Sequence, residues 1–349
     1  MNRPEKERAV TWKAGNLKRF RKLLRSRLLR AVVSLGLLAL IISRLNLHDF
    51  TQLLKRVDLV LLALGVAVFL VANMASVLKW WLIIRAQKRE RPYGKEPVSY
   101  RYLTSLFYIG LFFNNFLPTN FGGDFIKAWK LARVTGQPAE AAGSVVADRA
   151  SSTFALLMIA MPPALIELRL VGKGVALMVL AMFVVLLLGL GLFASERVAI
   201  RLSRYPVLRS DFFGLREHLR SFYYSLYEFR SKPAVLVAVM VLSVVYQGLA
   251  VALVYVLALS LEIHVSPIFF FLFIPVVMAV GMIPISLNGI GMREGATVFL
   301  FSQVGVSTAE SFSLSVLCSL VMTVISLAGG VFYLFDRTTP ATGKENGTM

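Results

Sequence analysis

Apolar residues in this chain neither alternate along strands nor mark one face of a helix. They fill whole stretches, separated by short blocks of charge. Such runs fit at about Leu28 to Ser43, Leu59 to Ile84, Tyr102 to Leu117, Ser144 to Ile166, Gly174 to Ala194, Ala234 to Leu261, Pro267 to Ile285 and Ser311 to Phe335. A bilayer core about 30 Å thick takes roughly 20 apolar residues as one helix. The pattern predicts an all-α, polytopic integral membrane helical bundle of about eight main segments.

Two stretches are interrupted in a matching way. Phe113 to Leu131 reads FNNFLPTNFGGDFIKAWKL and Ile283 to Phe299 reads IPISLNGIGMREGATVF. Each has a proline, an Asn/Gly-rich break, then an acid and a base. A break strands backbone N–H and C=O groups, which lipid cannot satisfy, so protein or a wet cavity must receive them. Paired interruptions in corresponding halves are a pointer to a binding site near the bilayer midplane.

Composition and charge sharpen this picture. Hydrophobic residues make up 57% and charged ones only 16%, where soluble proteins average about 25% charged. The net charge of +19 does not indicate nucleic acid, because the Lys and Arg lie in blocks flanking apolar runs, where they obey the positive-inside rule and meet anionic lipid. The first thirty residues hold eleven Lys/Arg. They read as a basic cytoplasmic arm, residues 1–27, rather than a signal peptide.

The basic loops at Arg85 to Arg101 and Glu196 to Lys232 belong in the cytoplasm, whereas Glu262 to Ser266 has no Lys or Arg. A third segment crossing outward would leave Lys127, Lys130 and Arg133 outside. Folding back at Pro118 to Gly123, with a second half-helix from Asp124 to Arg133, removes the conflict. The same device at Pro284 to Gly291, entered from the other side, brings both termini to the cytoplasm. The expectation is an inverted 4+4 repeat with two re-entrant broken-helix elements, in one transmembrane domain over 28–336 with halves at about 28–168 and 172–336. A cytoplasmic tail, 337–349, follows. Leu215, Leu219, Phe222, Leu226 and Phe229 recur at helical spacing, so residues 214–230 read as an amphipathic helix, lying on the inner leaflet or packed on the bundle. Trp80, Trp81 and Trp129 near segment ends are expected as interfacial anchors.

Charges inside membrane segments are expensive and face a cavity or a partner. Asp124 and Lys127, three apart at the start of a returning half-helix, share a face beside N-terminal N–H groups that favour an anion. They read equally as an anion site or as a capped helix with an ion pair. Asp148 and Arg149 open the fourth segment, either lining a polar path or snorkelling to headgroups. Arg293 and Glu294 follow Asn288, Gly289 and Gly291 directly. The arginine offers a planar fork of donors suited to phosphate, the alternative being a buried structural pair. Asn114, Asn115, Thr119, Asn120 and Asn288 can bond a headgroup or satisfy the freed backbone, and Pro118 and Pro284 mark the breaks. Gly122, Gly123, Gly289 and Gly291 permit close backbone approach.

The single cysteine, Cys318, admits no internal disulfide and reads as a buried thiol. His48, His218 and His264 are scattered, so neither a metal nor a cofactor is expected. The sequence holds no GxxxxGK[ST], HExxH or GxSxG motif, which argues against ATP-driven pumping by this chain.

At PTNFGGDFIK (Pro118 to Lys127), the Asp148 and Arg149 pair, and NGIGMRE (Asn288 to Glu294), the chain resembles the lysylphosphatidylglycerol synthase transmembrane-region family, the flippase-like domain proteins. The likeness runs from about Leu28 to Phe335. It implies a polytopic bundle whose larger members move aminoacylated phospholipid between leaflets and carry a fused soluble aminoacyl-transferase. With Met349 soon after the last apolar run, the expectation is a stand-alone form without that transferase. Lys127 stands where the family often has Arg, keeping charge but losing bidentate geometry.

The resulting expectation is a non-enzymatic lipid translocator of the inner (cytoplasmic) membrane. It would move an anionic or aminoacylated phospholipid, or another envelope lipid with a phosphate headgroup, with an envelope-lipid biosynthetic enzyme as a partner. The rival classes are a membrane-embedded transferase using Asp124 or Glu294 as base, and a noncatalytic scaffold.

Overall fold

The computed structural model describes residues 57–87, 98–116, 122–166, 232–282, 286 and 289–336, with the isolated positions Gln52, Lys55, Leu180 and Val184. The basic arm, the first and fifth apolar runs, the amphipathic helix at 214–230, the tail, and Pro118, Thr119, Asn120, Pro284 and Asn288 lie outside them.

The described residues form eight α-helices. They are α1 (Leu59–Ala86), α2 (Tyr100–Phe116), α3 (Gly122–Thr135), α4 (Pro138–Ile166), α5 (Pro233–Ser260), α6 (Pro267–Met282), α7 (Met292–Ser302) and α8 (Thr308–Phe335). α1, α4, α5 and α8 run 28 or 29 residues and are apolar enough to cross a membrane. At 1.5 Å per residue each reaches about 42 Å, which leaves room for tilt. The other four are short, and they come in pairs.

Local chemistry sets the ends. Asp58 caps α1, its Oδ1 accepting the Val60 and Leu61 N–H groups at 2.8 and 3.2 Å. Pro233 occupies the first turn of α5, where its missing N–H is no loss. Gly136, with φ of +72°, ends α3 and donates its N–H to Ala132 O at 2.8 Å, the left-handed stop that glycine adopts freely. Ser307 and Glu310 cap α8 reciprocally. The fourth segment starts earlier than its hydropathy indicates: α4 begins at Pro138, with Glu140 in its first turn. Asp148 and Arg149 therefore lie well inside the helix instead of opening it, because the Ala- and Gly-containing stretch before Ser144 is helical without being strongly apolar.

The short helices double back. α2 and α3 pack antiparallel: the Gly123 N–H donates to Asn114 Oδ1 at 2.8 Å, and the Lys127 stem crosses Gly110. α6 and α7 do likewise, with the Phe301 ring 5.1 and 5.3 Å from those of Phe270 and Phe273 at one end and the Arg293 side chain over Gly281 at the other. Both interrupted stretches are thus helical hairpins rather than continuous rods.

The order long, short, short, long occurs twice: 28, 17, 14 and 29 residues, then 28, 16, 11 and 28. α1 and α5, which hold the same place in the two quartets, lie antiparallel along their whole length. Asp58 N–H donates to Ser260 O at 3.0 Å at one end, and Lys232 donates to Ala86 O at the other. α2 packs on α8 of the other quartet, and α6 correspondingly on α4. Two large apolar clusters fill most of the interior, with a smaller third around Ile83, Ala86 and Val239. Of the large two, one lies around Leu253, Leu257, Phe270, Phe273 and Phe301, the other around Val77, Trp80, Leu103, Leu106 and Leu131.

Candidate functional site

The α2–α3 hairpin seats against α1 and α4 so that five charged side chains meet. Asp124 and Lys127, three apart on α3, form an ion pair at 3.0 Å. Arg149 of α4 reaches across to Asp124, Nε to Oδ2 2.5 Å. Asp148, its neighbour, receives Lys127 at 3.8 Å and Lys79 of α1 at 2.9 Å. Asp124 Oδ1 and Asp148 Oδ1 make these contacts as ion pairs and not as aligned hydrogen bonds. One-and-a-half turns of α4 thus join the hairpin to α1 through alternating charge.

Lys79 lies deepest, with its side chain fully buried. Its ammonium donates to Asp148 O at 3.0 Å and to Ser152 Oγ and lies beside Asp148 Oδ1. Two hydrogen-bond acceptors and one carboxylate oxygen thus surround it. Tyr246 of α5 presents its ring 5.8 Å away, and Gln247 donates to Ser152 O at 2.9 Å. Lys127 lies 5.2 Å from the Trp80 ring and 5.5 Å from that of Phe107, and cation–π attraction supports a desolvated ammonium there. Trp80 is therefore no interfacial anchor. It is fully buried, with Nε1 donating to Ser144 Oγ at 3.1 Å. Trp81 and Trp129 instead stack on Arg85 and Arg133, at 4.4 and 4.0 Å.

Lys79 stands seven residues before the end of α1, and Asp148 ten after the start of α4, so the cluster lies about 10–15 Å inside one end of the long helices. Arg149 is the outlet: its side chain is 39% exposed, against 8% or less for the other four.

The second hairpin is organised differently. Gly289 and Gly291 have φ of +77° and +82°, which only glycine adopts without strain. The Glu294 carboxylate turns back to accept the Gly291 N–H at 2.6 Å, capping α7. The Arg293 side chain lies across Gly281 and Gly289, and among the described residues its Nε has no hydrogen-bond partner. Ser286 Oγ is likewise buried without a partner among the described residues.

The structure thus brings Asp124, Lys127, Asp148 and Arg149 together, while Arg293 packs on Gly281 and Gly289 of the second hairpin and Glu294 serves as a cap. Gly123 lies against the Gly110 backbone and Asn115 bonds Ser326 of α8 at 2.8 Å. Sequence reasoning missed Lys79 and placed Trp80 at the interface. A lone lysine inside the apolar run of α1 was the available signal. A second cross-link was also missed: Lys130 of α3 pairs with Asp336 after α8, with the Tyr333 ring 4.8 Å from the ammonium. Among the described residues no group of three or more His, Cys, Asp and Glu is placed to hold a metal.

Comparison with known proteins agrees with this architecture. Residues 27–330 match the family described as the lysylphosphatidylglycerol synthase TM region. A UPF0104 membrane protein of Methanothermobacter thermautotrophicus is 24% identical over 327 residues, covering 86% of this chain and 91% of the relative. No solved structure matches. With most of its length matched and its long apolar helices in place, this chain is a multi-pass membrane protein that belongs to the lysylphosphatidylglycerol synthase TM region family.

Proposed function

We propose that this protein is a lipid translocator, moving a phosphate-bearing lipid headgroup across the inner membrane without itself modifying it. The observation that carries the reading is the charge cluster of Lys79, Asp148, Lys127, Asp124 and Arg149, held in the interior of a helical bundle and opening at Arg149. Buried ion pairs are weak devices for stability, since apolar packing does as well, and charges within membrane segments mark substrate paths. Arg149 and Arg293 would grip the phosphate, a planar fork from each quartet, while acyl chains stay in lipid.

The repeated helix order and the antiparallel α1 and α5 support two quartets inverted in the membrane, the design expected of alternating access. Both termini would then lie in the cytoplasm, with Ala86 at the inner face and the cluster in the inner half of the bilayer.

The test is reconstitution into phosphatidylcholine vesicles containing acyl-labelled fluorescent phosphatidylglycerol, with leaflet exchange read by dithionite quenching. Wild type should expose label from the inner leaflet; Arg149→Gln and Arg293→Ala should lose most of that rate while remaining monodisperse. Exchange no faster than in protein-free vesicles refutes transport, and chemical conversion of the lipid would establish an enzyme instead.

A further inference from the structure

Among the described residues the charges at this site do not balance. Lys79, Lys127 and Arg149 face Asp124 and Asp148, so three cations meet two carboxylates and one positive charge is left over. Arg293 with Glu294, and Lys130 with Asp336, each add one of either sign and leave that excess unchanged.

Building on the transport reading, we infer that the site takes a headgroup of net charge minus one, a phosphodiester without a compensating ammonium, and disfavours zwitterionic and aminoacylated lipids. Every nearby carboxylate among the described residues already has a task. Asp124 holds Lys127 and Arg149, Asp148 holds Lys79 and Lys127, and Glu294 caps α7. An ammonium on the cargo would have to compete with Lys79, Lys127 and Arg149 for the same two carboxylates, whereas a lone phosphate neutralises the surplus. A rejected cargo is thereby disfavoured and not merely unrecognised.

Lys79 is the positioning residue that creates the surplus. It is fully buried and touches no cargo, but by sharing Asp148 it relieves Lys127 and Arg149 of part of their carboxylate contact. Without Lys79 the remaining charges, two of each sign, cancel.

The experiment compares leaflet exchange of acyl-labelled phosphatidylglycerol, phosphatidylethanolamine and lysylphosphatidylglycerol in the same phosphatidylcholine vesicles. Wild type should move the first about tenfold faster than the other two, as expected for one unbalanced charge near a partly desolvated site. Lys79→Met should bring that ratio toward one, Lys79→Arg should preserve it, and the double variant Lys79→Met/Asp148→Asn, which removes one charge of each sign, should restore it at a lower rate. Equal or faster movement of the lysyl ester by wild type overturns the inference and leaves transport standing. A double variant as unselective as Lys79→Met shows that charge balance does not set the preference. Exchange of none of the three lipids refutes the transport reading itself.

Discussion

The tightest place in the first hairpin is Gly123, and replacing it with alanine tests whether the hairpin is a rigid scaffold. A Cβ at that position would land on the carbonyl oxygen of Gly110, 2.7 Å from its carbonyl carbon and 2.8 Å from Asn114 Cγ. Two of these atoms are backbone, so no rotamer change relieves the clash and α3 must move off α2. Overpacking of this kind costs about 1–3 kcal/mol. The movement also pulls the Gly123 N–H from Asn114 Oδ1, about 1 kcal/mol more. Asp124, the next residue, would shift from Arg149 along with it. Gly248, in the middle of α5, is the control: a Cβ there meets nothing within 4 Å, and alanine should stabilise by about 0.5–1 kcal/mol through helix propensity alone. Heating in detergent followed by size-exclusion recovery should show Gly123→Ala losing about 5 °C, at roughly 2 °C per kcal/mol for a long chain, and Gly248→Ala holding or gaining. A Gly123→Ala midpoint at or above wild type would mean that α2 and α3 do not pack through their backbones.

Three further outcomes follow from the same geometry. Lys130 and Asp336, buried to 8% exposure each, should behave as a coupled pair: Asp336→Asn strands an ammonium and destabilises by about 3 kcal/mol, whereas Lys130→Met/Asp336→Leu recovers most of it, read by a double-mutant cycle of thermal midpoints. Glu294→Ala should cost about 1–2 kcal/mol by exposing the Gly291 N–H, with Glu294→Gln costing less because its amide oxygen still accepts; equal losses would show that charge, not the cap, is what matters there. Trp80→Phe removes the bond to Ser144 and weakens the cation–π support of Lys127, together about 1–2 kcal/mol, measurable by the same melting assay and absent if Trp80 faces lipid.

The hairpins were legible because a proline followed by Asn and Gly inside an apolar run has one physical resolution in a membrane: the backbone must turn where protein can receive it. The Asp124 and Lys127 pair was legible from helical spacing alone. Lys79 and Trp80 were not. Both sit near the end of an apolar run, where lysine commonly snorkels and tryptophan commonly anchors, and only the seating of α4 against α1 turns them inward onto Asp148 and Ser144. The start of α4 was misjudged for a related reason. Hydropathy reports where lipid contact begins, and Pro138 to Gly143 is helical beside α3 before it is apolar. The bond from Lys130 to Asp336 spans more than two hundred residues, a separation that no local pattern encodes.

What distinguishes the two quartets is chemistry rather than shape. Both returning half-helices carry an acid at the third position, Asp124 in α3 and Glu294 in α7, where a carboxylate complements the helix dipole. In α7 that acid closes on its own backbone, and the residue one turn past the first is Thr297, whose hydroxyl bonds Arg293 O. In α3 the corresponding place is Lys127, and the acid turns outward to Arg149. One substitution of charge for hydroxyl thus converts a capped helix end into the start of a network, and Lys79 and Asp148 extend it. Among the described residues only the hairpin of α2 and α3 is wired to a network of fixed charge, so under the proposed translocation a cargo would meet different surroundings on its two approaches.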